Sequence, residues 1–137
     1  MAIAVGDSFS RTTQITDERI RQFAAASGDT NSVHLDNDYA KTTRFGKRIA
    51  HGMLTASLIS SILGNDFPGV GTIYLSQSAK FKAPVFIDDE ITATVEVTAY
   101  REDKRITTLK TTCTNQDGTV VVEGEAVVIA PEPSENA

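Results

Sequence analysis

Asp29 and His34 stand five positions apart in the turn-rich run Ser27-Gly28-Asp29-Thr30-Asn31-Ser32-Val33-His34-Leu35-Asp36. A carboxylate and an imidazole at that spacing can converge on one water molecule. Downstream, Ile49-Ala50-His51-Gly52-Met53-Leu54 sets a glycine at the head of an apolar stretch. There a backbone N–H can meet an oxygen that gains negative charge. A base, its partner and an electrophile stabiliser are the parts needed to add water to a polarised double bond.

Taken singly, each residue has a plain structural reading. An aspartate after Ser-Gly commonly serves an Asx turn, and a loop histidine commonly bonds a carbonyl. Gly52 could be a helix-start glycine chosen for its torsion angles alone. The combination points to chemistry instead. Gly52 lacks a Cβ that would block a ligand, its N–H has no acceptor inside a helix, and it lies at the positive end of the macrodipole. His51, directly before that helix, reads as a capping or packing residue. Ser57 reads as returning its hydroxyl to the preceding turn, and Ser60 is a candidate to line the site.

Other motifs fail. Gly69-Val70-Gly71 is a fragment of a dinucleotide fingerprint with neither strand nor helix to frame it, so it reads as a turn. Two histidines without supporting carboxylate spacing argue against a metal site, and no cofactor is expected. No Gly-x-Ser-x-Gly and no P-loop occurs, and Cys113 within a strand is a poor nucleophile.

The elements that must position these residues change character midway. Thr16 is the N-cap expected for a helix over about Asp17 to Ala26, with Ile20, Phe23 and Ala24 on one stripe and Gly28 as its stop. The next ten residues read as a loop, and Asp38 to Thr42 as one or two helical turns. Gly52 begins a helix that runs through Leu63 and stops at Gly64, apolar around most of its circumference and therefore buried. From Thr72 the period becomes two. Ile91, Ala93, Val95, Val97 and Ala99 alternate with polar residues, and the runs Thr72 to Phe81, Arg105 to Asn115 and Thr119 to Ile129 add strands. Asp117-Gly118 signals a hairpin between the last two, and Phe9 to Gln14 could add a fifth strand.

A buried helix with an antiparallel sheet implies an α+β fold in which the sheet wraps the helix, a hot-dog arrangement. Such a sheet leaves an open edge, and pairing with a second copy would cover it, so a homodimer is expected. At 137 residues the chain suits one domain, over 1–130, with 131–137 as a disordered tail. Thirteen basic against eighteen acidic side chains, net −5, argue against nucleic-acid binding and against an anionic membrane surface. No signal-peptide pattern or membrane-length apolar run is visible, and a single cysteine fits a reducing setting, so a soluble cytoplasmic protein is expected.

Ser27-Gly28-Asp29-x-Asn31-x-x-His34-x-Asp36, followed by Phe45 and Ile49-Ala50-His51-Gly52-Met53-Leu54, resembles the MaoC-type hydratases. The resemblance is strongest to the (R)-specific enoyl-CoA hydratases that feed polyhydroxyalkanoate synthesis. It runs from about Gly6 to Ile129 and includes Ile73-Tyr74-Leu75, Phe81-Lys82-Ala83-Pro84-Val85 and Glu90-Ile91-Thr92-Ala93. It implies a hot-dog homodimer that hydrates trans-2-enoyl-CoA to (R)-3-hydroxyacyl-CoA, with CoA entering only as part of the substrate. On that basis Asp29 and His34 match the catalytic pair, and Gly52 the residue whose amide holds the thioester oxygen. Asn31, Ser60, Leu63 and Val128 match substrate-binding positions that line the site and acyl pocket. Ser32 departs from the pattern, standing where the family usually carries proline.

Asp29 is favoured as base, with His34 binding the water. Two other readings stay open: a hot-dog acyl-CoA thioesterase, in which Asp29 activates water against the carbonyl, and a non-catalytic acyl-CoA-binding dimer. Lys80, Lys82 and Arg101 are the candidates to contact CoA, or are solvated strand faces.

Overall fold

The structure is a computed structural model that describes residues 2–132; of the expected tail, 133–137 lie outside the described residues. Chain order is β1 (Ser8–Gln14), α1 (Asp17–Ser27), α2 (Ser32–Leu35), α3 (Asn37–Lys41), α4 (Gly52–Asn65), β2 (Ile73–Gln77), β3 (Lys80–Phe81), β4 (Glu90–Arg101), β5 (Ile106–Thr114) and β6 (Val120–Ile129). The strands pair antiparallel in the order β1-β4-β5-β6-β2, with β3 also on β6.

α4 supplies the centre of the core. Leu54, Thr55, Ala56, Leu58, Ile59, Ile62 and Leu63 are buried, and the Leu and Ile side chains among them meet Val95, Val97, Leu109, Val121 and Val128 of the sheet in one cluster. Fully burying each large aliphatic side chain is worth about 1.5–3 kcal/mol, so this contact dominates the fold's stability. The sheet curls around α4, which makes the domain an α+β hot-dog. No helix among the described residues is long and apolar enough to cross a membrane.

Three sequence expectations need correction. α4 runs past Gly64 to Asn65, because the helical bonding continues through the Asp66 N–H on the Ile62 carbonyl. Ala99 is exposed, since a bulge between Val97 and Ala99 breaks the alternation that buries Ile91, Ala93, Val95 and Val97. The stretch Thr72 to Phe81 is two short strands, with a bulge between Tyr74 and Ser76 in the first.

β1 and β2 are the ends of the sheet path. On β2, Ile73, Tyr74 and Leu75 leave an apolar strip half exposed beside unpaired backbone groups.

Candidate active site

The turn-rich run is ordered by its own side chains. Gly28 ends α1 in the left-handed region, φ 80°, with its N–H on the Ala24 carbonyl. The Asp29 N–H then bonds Ser27 Oγ at 3.1 Å, and Asp29 Oδ1 accepts the Asn31 N–H at 3.3 Å. The Asx-turn reading of Asp29 is therefore correct, and among the described residues Oδ2 takes no hydrogen bond. Asn31 caps α2: its Oδ1 accepts the Val33 N–H at 3.1 Å and its carbonyl the His34 N–H at 3.0 Å. This four-residue helix, where a loop was expected, turns His34 inward to 9% exposure while Asp29 stays exposed.

Three hydrogen bonds stitch this run to residues 49–51. The Ile49 N–H bonds the Val33 carbonyl at 3.3 Å, His34 Nδ1 the Ile49 carbonyl at 2.7 Å, and His51 Nε2 the Asp29 carbonyl at 2.9 Å. On its other side the same strip is held by Ala50 N–H on the Val85 carbonyl at 2.7 Å. The two motifs seen in the sequence are thus one structural unit. Arg48 locks it from beneath. Its buried guanidinium gives Nε–H to the His34 carbonyl at 2.7 Å and a second N–H to Asp17 on α1.

Carbonyls only accept, so neutral His34 carries its proton on Nδ1 and His51 on Nε2. His34 Nε2 is left with a lone pair. Burial pushes the His34 pKa below the usual histidine value; the Ile49 hydrogen bond opposes this, His51 and Arg48 reinforce it, and Asp29 opposes it. A neutral imidazole acceptor therefore stands next to the Asp29 carboxylate. Asp29, His34 and His51 each bring one side-chain donor atom within 4.8 Å of the other two.

The two imidazoles stack, ring centroids 3.8 Å apart and planes tilted 27°.

Gly52 opens α4 directly beyond His51. His51 is the N-cap residue by position, yet its side chain makes no capping bond, which corrects the capping reading. The Leu54 and Thr55 N–H groups both turn to the His51 carbonyl, so the first-turn Gly52 amide has no partner inside the helix. A Cβ on Gly52 would stand 2.6 Å from Phe81 Cδ1. Glycine is what lets this amide sit beside that ring. It borders a cavity of about 400 Å³ whose wall also holds Phe45, Thr55, Val85 and Val122, with Arg44 and Lys82 as its cations. A second cavity, about 470 Å³, lies between α1, α4 and β2, and Met53 lines both.

The structure thus gathers Asp29 and His34, with Asn31 acting through α2, and joins them through His51 to the α4 start at Gly52, while neither Asp29 nor His34 lines either cavity. Ser60 is exposed on the second cavity, together with Phe23, Ser57, Tyr74 and Leu75. Leu63 and Val128, at 1% and 0% exposure, line neither cavity and belong to the core. Ser57 bonds the Leu54 carbonyl at 2.6 Å, the ordinary role read for it. Of the cation candidates Lys82 lies by Gly52, Lys80 lines a separate groove and Arg101 pairs with Asp103. Sequence reasoning missed Arg48 and Phe81, since a lone arginine or aromatic gives no spacing signal. Burial identifies Arg48, and close contact with Gly52 identifies Phe81, which is itself exposed.

Known proteins resemble this chain over most of its length. The MaoC like domain profile matches residues 4–120. The chain is 52% identical over 129 residues to an (R)-specific enoyl-CoA hydratase of Rhodospirillum rubrum, covering 94% of this chain and 89% of that one. It is 50% identical over 130 residues to an (R)-specific enoyl-CoA hydratase of Aeromonas caviae, covering 95% and 97%. The solved structure of the (R)-hydratase from A. caviae involved in PHA biosynthesis superposes with a TM-score of 0.92 at 50% identity, over 95% of this chain and 98% of that one. On the strength of that match, spanning most of its length, the chain belongs to the MaoC-like domain family.

Proposed function

We propose that this chain hydrates trans-2-enoyl-CoA thioesters to (R)-3-hydroxyacyl-CoA, as monomer supply for polyhydroxyalkanoate or within fatty-acid metabolism. The observation that carries this is the convergence of the Asp29 and His34 side chains with that of His51, the residue that directly precedes the Gly52 amide at the start of α4. Conjugation with the thioester makes C3 electrophilic, and attack there drives charge onto the carbonyl oxygen. A preorganised amide at that oxygen is worth about 2.7–4 kcal/mol.

The nucleophilic water has two hydrogens, and two acceptors await them: the Asp29 carboxylate and His34 Nε2. Asp29 takes the proton as the water oxygen attacks C3, His34 holds the water's second hydrogen, and the pair returns a proton to C2. Such general-base help contributes about 10² to 10⁴ in rate. CoA enters only as substrate. Arg44 and Lys82 beside Gly52 suit its phosphates, and the more apolar cavity bearing Ser60 suits the acyl chain.

The open β2 edge, with Ile73, Tyr74 and Leu75 exposed, supports a homodimer formed by covering that strip. A cytoplasmic location fits a free, buried Cys113, whose thiol burial pushes up to about 12.

Crotonyl-CoA tests the reading. A hydratase consumes the enoyl chromophore without releasing thiol. Release of free CoA would instead make the protein a thioesterase, and binding with an unchanged chromophore would make it a mere acyl-CoA binder.

A further inference from the structure

We infer that His51 is a positioning residue that holds Asp29 and His34 in one geometry. The inference rests on the hydratase reading above. His51 is 2% exposed, and it touches both members of the pair in different ways. Its Nε2–H holds the Asp29 backbone carbonyl at 2.9 Å, and its ring lies on the His34 ring with centroids 3.8 Å apart. Phe23 closes its other side at 4.9 Å. Asp29 is exposed, and its local bonds, to Ser27 and Asn31, come from the same loop. Among the described residues, the bond from His51 is the one that ties Asp29 to the α4 end, where the thioester oxygen is expected.

A packing role alone would not select histidine here. His51 Nδ1 is buried without a hydrogen-bond partner among the described residues, a cost that a phenyl ring of similar shape would avoid. Nor does the side chain cap α4. What phenylalanine could not supply is the donor to Asp29. Placement of a base within a few tenths of an ångström governs turnover far more than ground-state binding, because a misplacement of about 1 Å can cost 10²-fold.

The test is steady-state kinetics of wild type, His51→Phe and His51→Gln on crotonyl-CoA, with thermal melts of each. His51→Phe keeps the stack and removes the donor; His51→Gln restores an N–H at similar reach. The expected result is a kcat at least tenfold lower for His51→Phe, with KM within about twofold and an unchanged or raised melting temperature, and substantial recovery of kcat in His51→Gln. If His51→Phe fails to fold, His51→Asn takes its place, since its shorter amide cannot reach the Asp29 carbonyl. A folded donor-less variant with wild-type kcat, or a His51→Gln protein no better than His51→Phe, overturns the role. A wild-type protein that leaves the chromophore intact overturns the hydratase reading itself and this role with it.

Discussion

His34 gives its Nδ1 proton to the Ile49 carbonyl at 2.7 Å, which leaves Nε2 as the acceptor available on that ring. Catalysis in this geometry needs the neutral ring. Burial, the largest influence, holds the His34 pKa below its ordinary 6.5, against the Ile49 bond and Asp29 and together with His51 and Arg48. As pH falls through that lowered value, Nε2 gains a proton and the water loses an acceptor. The acid limb of kcat is therefore expected below 6.5. Stability follows the same group: the unfolded chain binds this proton more readily, so the His34 contribution is full above 6.5 and is lost as pH falls through the folded value. Kinetics and melts across this range check both, and His34→Gln should flatten the melting curve there.

Asp29→Asn separates folding from chemistry. The amide keeps an Oδ1 to accept the Asn31 N–H, so the turn survives and the melting temperature should stay near wild type. It cannot accept the proton of the attacking water. Turnover of crotonyl-CoA is expected to fall by about 10² to 10⁴ with little change in KM. An Asp29→Asn protein with wild-type kcat would remove Asp29 from the mechanism.

Most of the fold is legible in residue spacing because period and punctuation act locally. Thr16 caps α1 with its side chain on the Arg19 N–H, Gly28 stops it, and the turn at Asp117-Gly118 joins β5 to β6, with Asn115 Oδ1 taking the Asp117 and Thr119 N–H groups. The pair Asp29/His34 and the amide of Gly52 are legible too, because each carries its chemistry in its type. What spacing cannot show is long-range: the bond from His51 to Asp29, the arginine under His34, and the bulge that turns Ala99 outward. Each depends on segments that meet only after folding. α2 was hidden for another reason, as four residues are too few to display a helical period.

Arg48 should matter more for stability than any exposed cation. Its buried guanidinium satisfies the His34 carbonyl and pairs with Asp17, whose carboxyl the bonds from Arg48 and then Arg21 hold below the usual carboxylate range. Removing a hydrogen bond from a charged group costs about 1.5–3 kcal/mol, so Arg48→Ala is expected to lose stability of that order in urea unfolding. The Asp17 share is smaller, since that side chain is half exposed and screened by solvent. That share is present above pH 3.8 and is lost as pH falls through the lowered value, so the gap between wild type and Arg48→Ala should narrow in acid without closing.

Ser32 stands where the family usually has proline, and the structure shows the site ready to receive one. It is the first residue of α2, a position whose N–H has no helical acceptor and where proline is favoured. Asn31 before it has φ −54° and ψ 133°, compatible with a following proline. Here the cap from Asn31 and the three bonds to residues 49–51 supply the order that a proline would otherwise give. Ser32→Pro is expected to leave kcat unchanged and to add about 0.4–1 kcal/mol by restricting the unfolded chain. Loss of stability would show that the Ser32 backbone departs from this geometry in solution.

Leu63 is buried, yet it lies one turn beyond Ser60 on α4, and Val128 on β6 pairs with Tyr74 of β2. Ser60 and Tyr74 both line the cavity of about 470 Å³, so these two core residues form the layer behind its wall. Truncating Leu63 to alanine should do two things at once. The cavity left in the core costs about 2–5 kcal/mol, and the same void deepens the space open to an acyl chain. Selectivity responds weakly to each methylene, by about 1–3 kcal/mol, so the effect should appear as a graded rise in relative kcat/KM for longer enoyl-CoA substrates. Crotonyl-CoA turnover supplies the reference. A Leu63→Ala protein that loses stability while its chain-length profile stays fixed would place the acyl chain elsewhere, in the cavity beside Gly52.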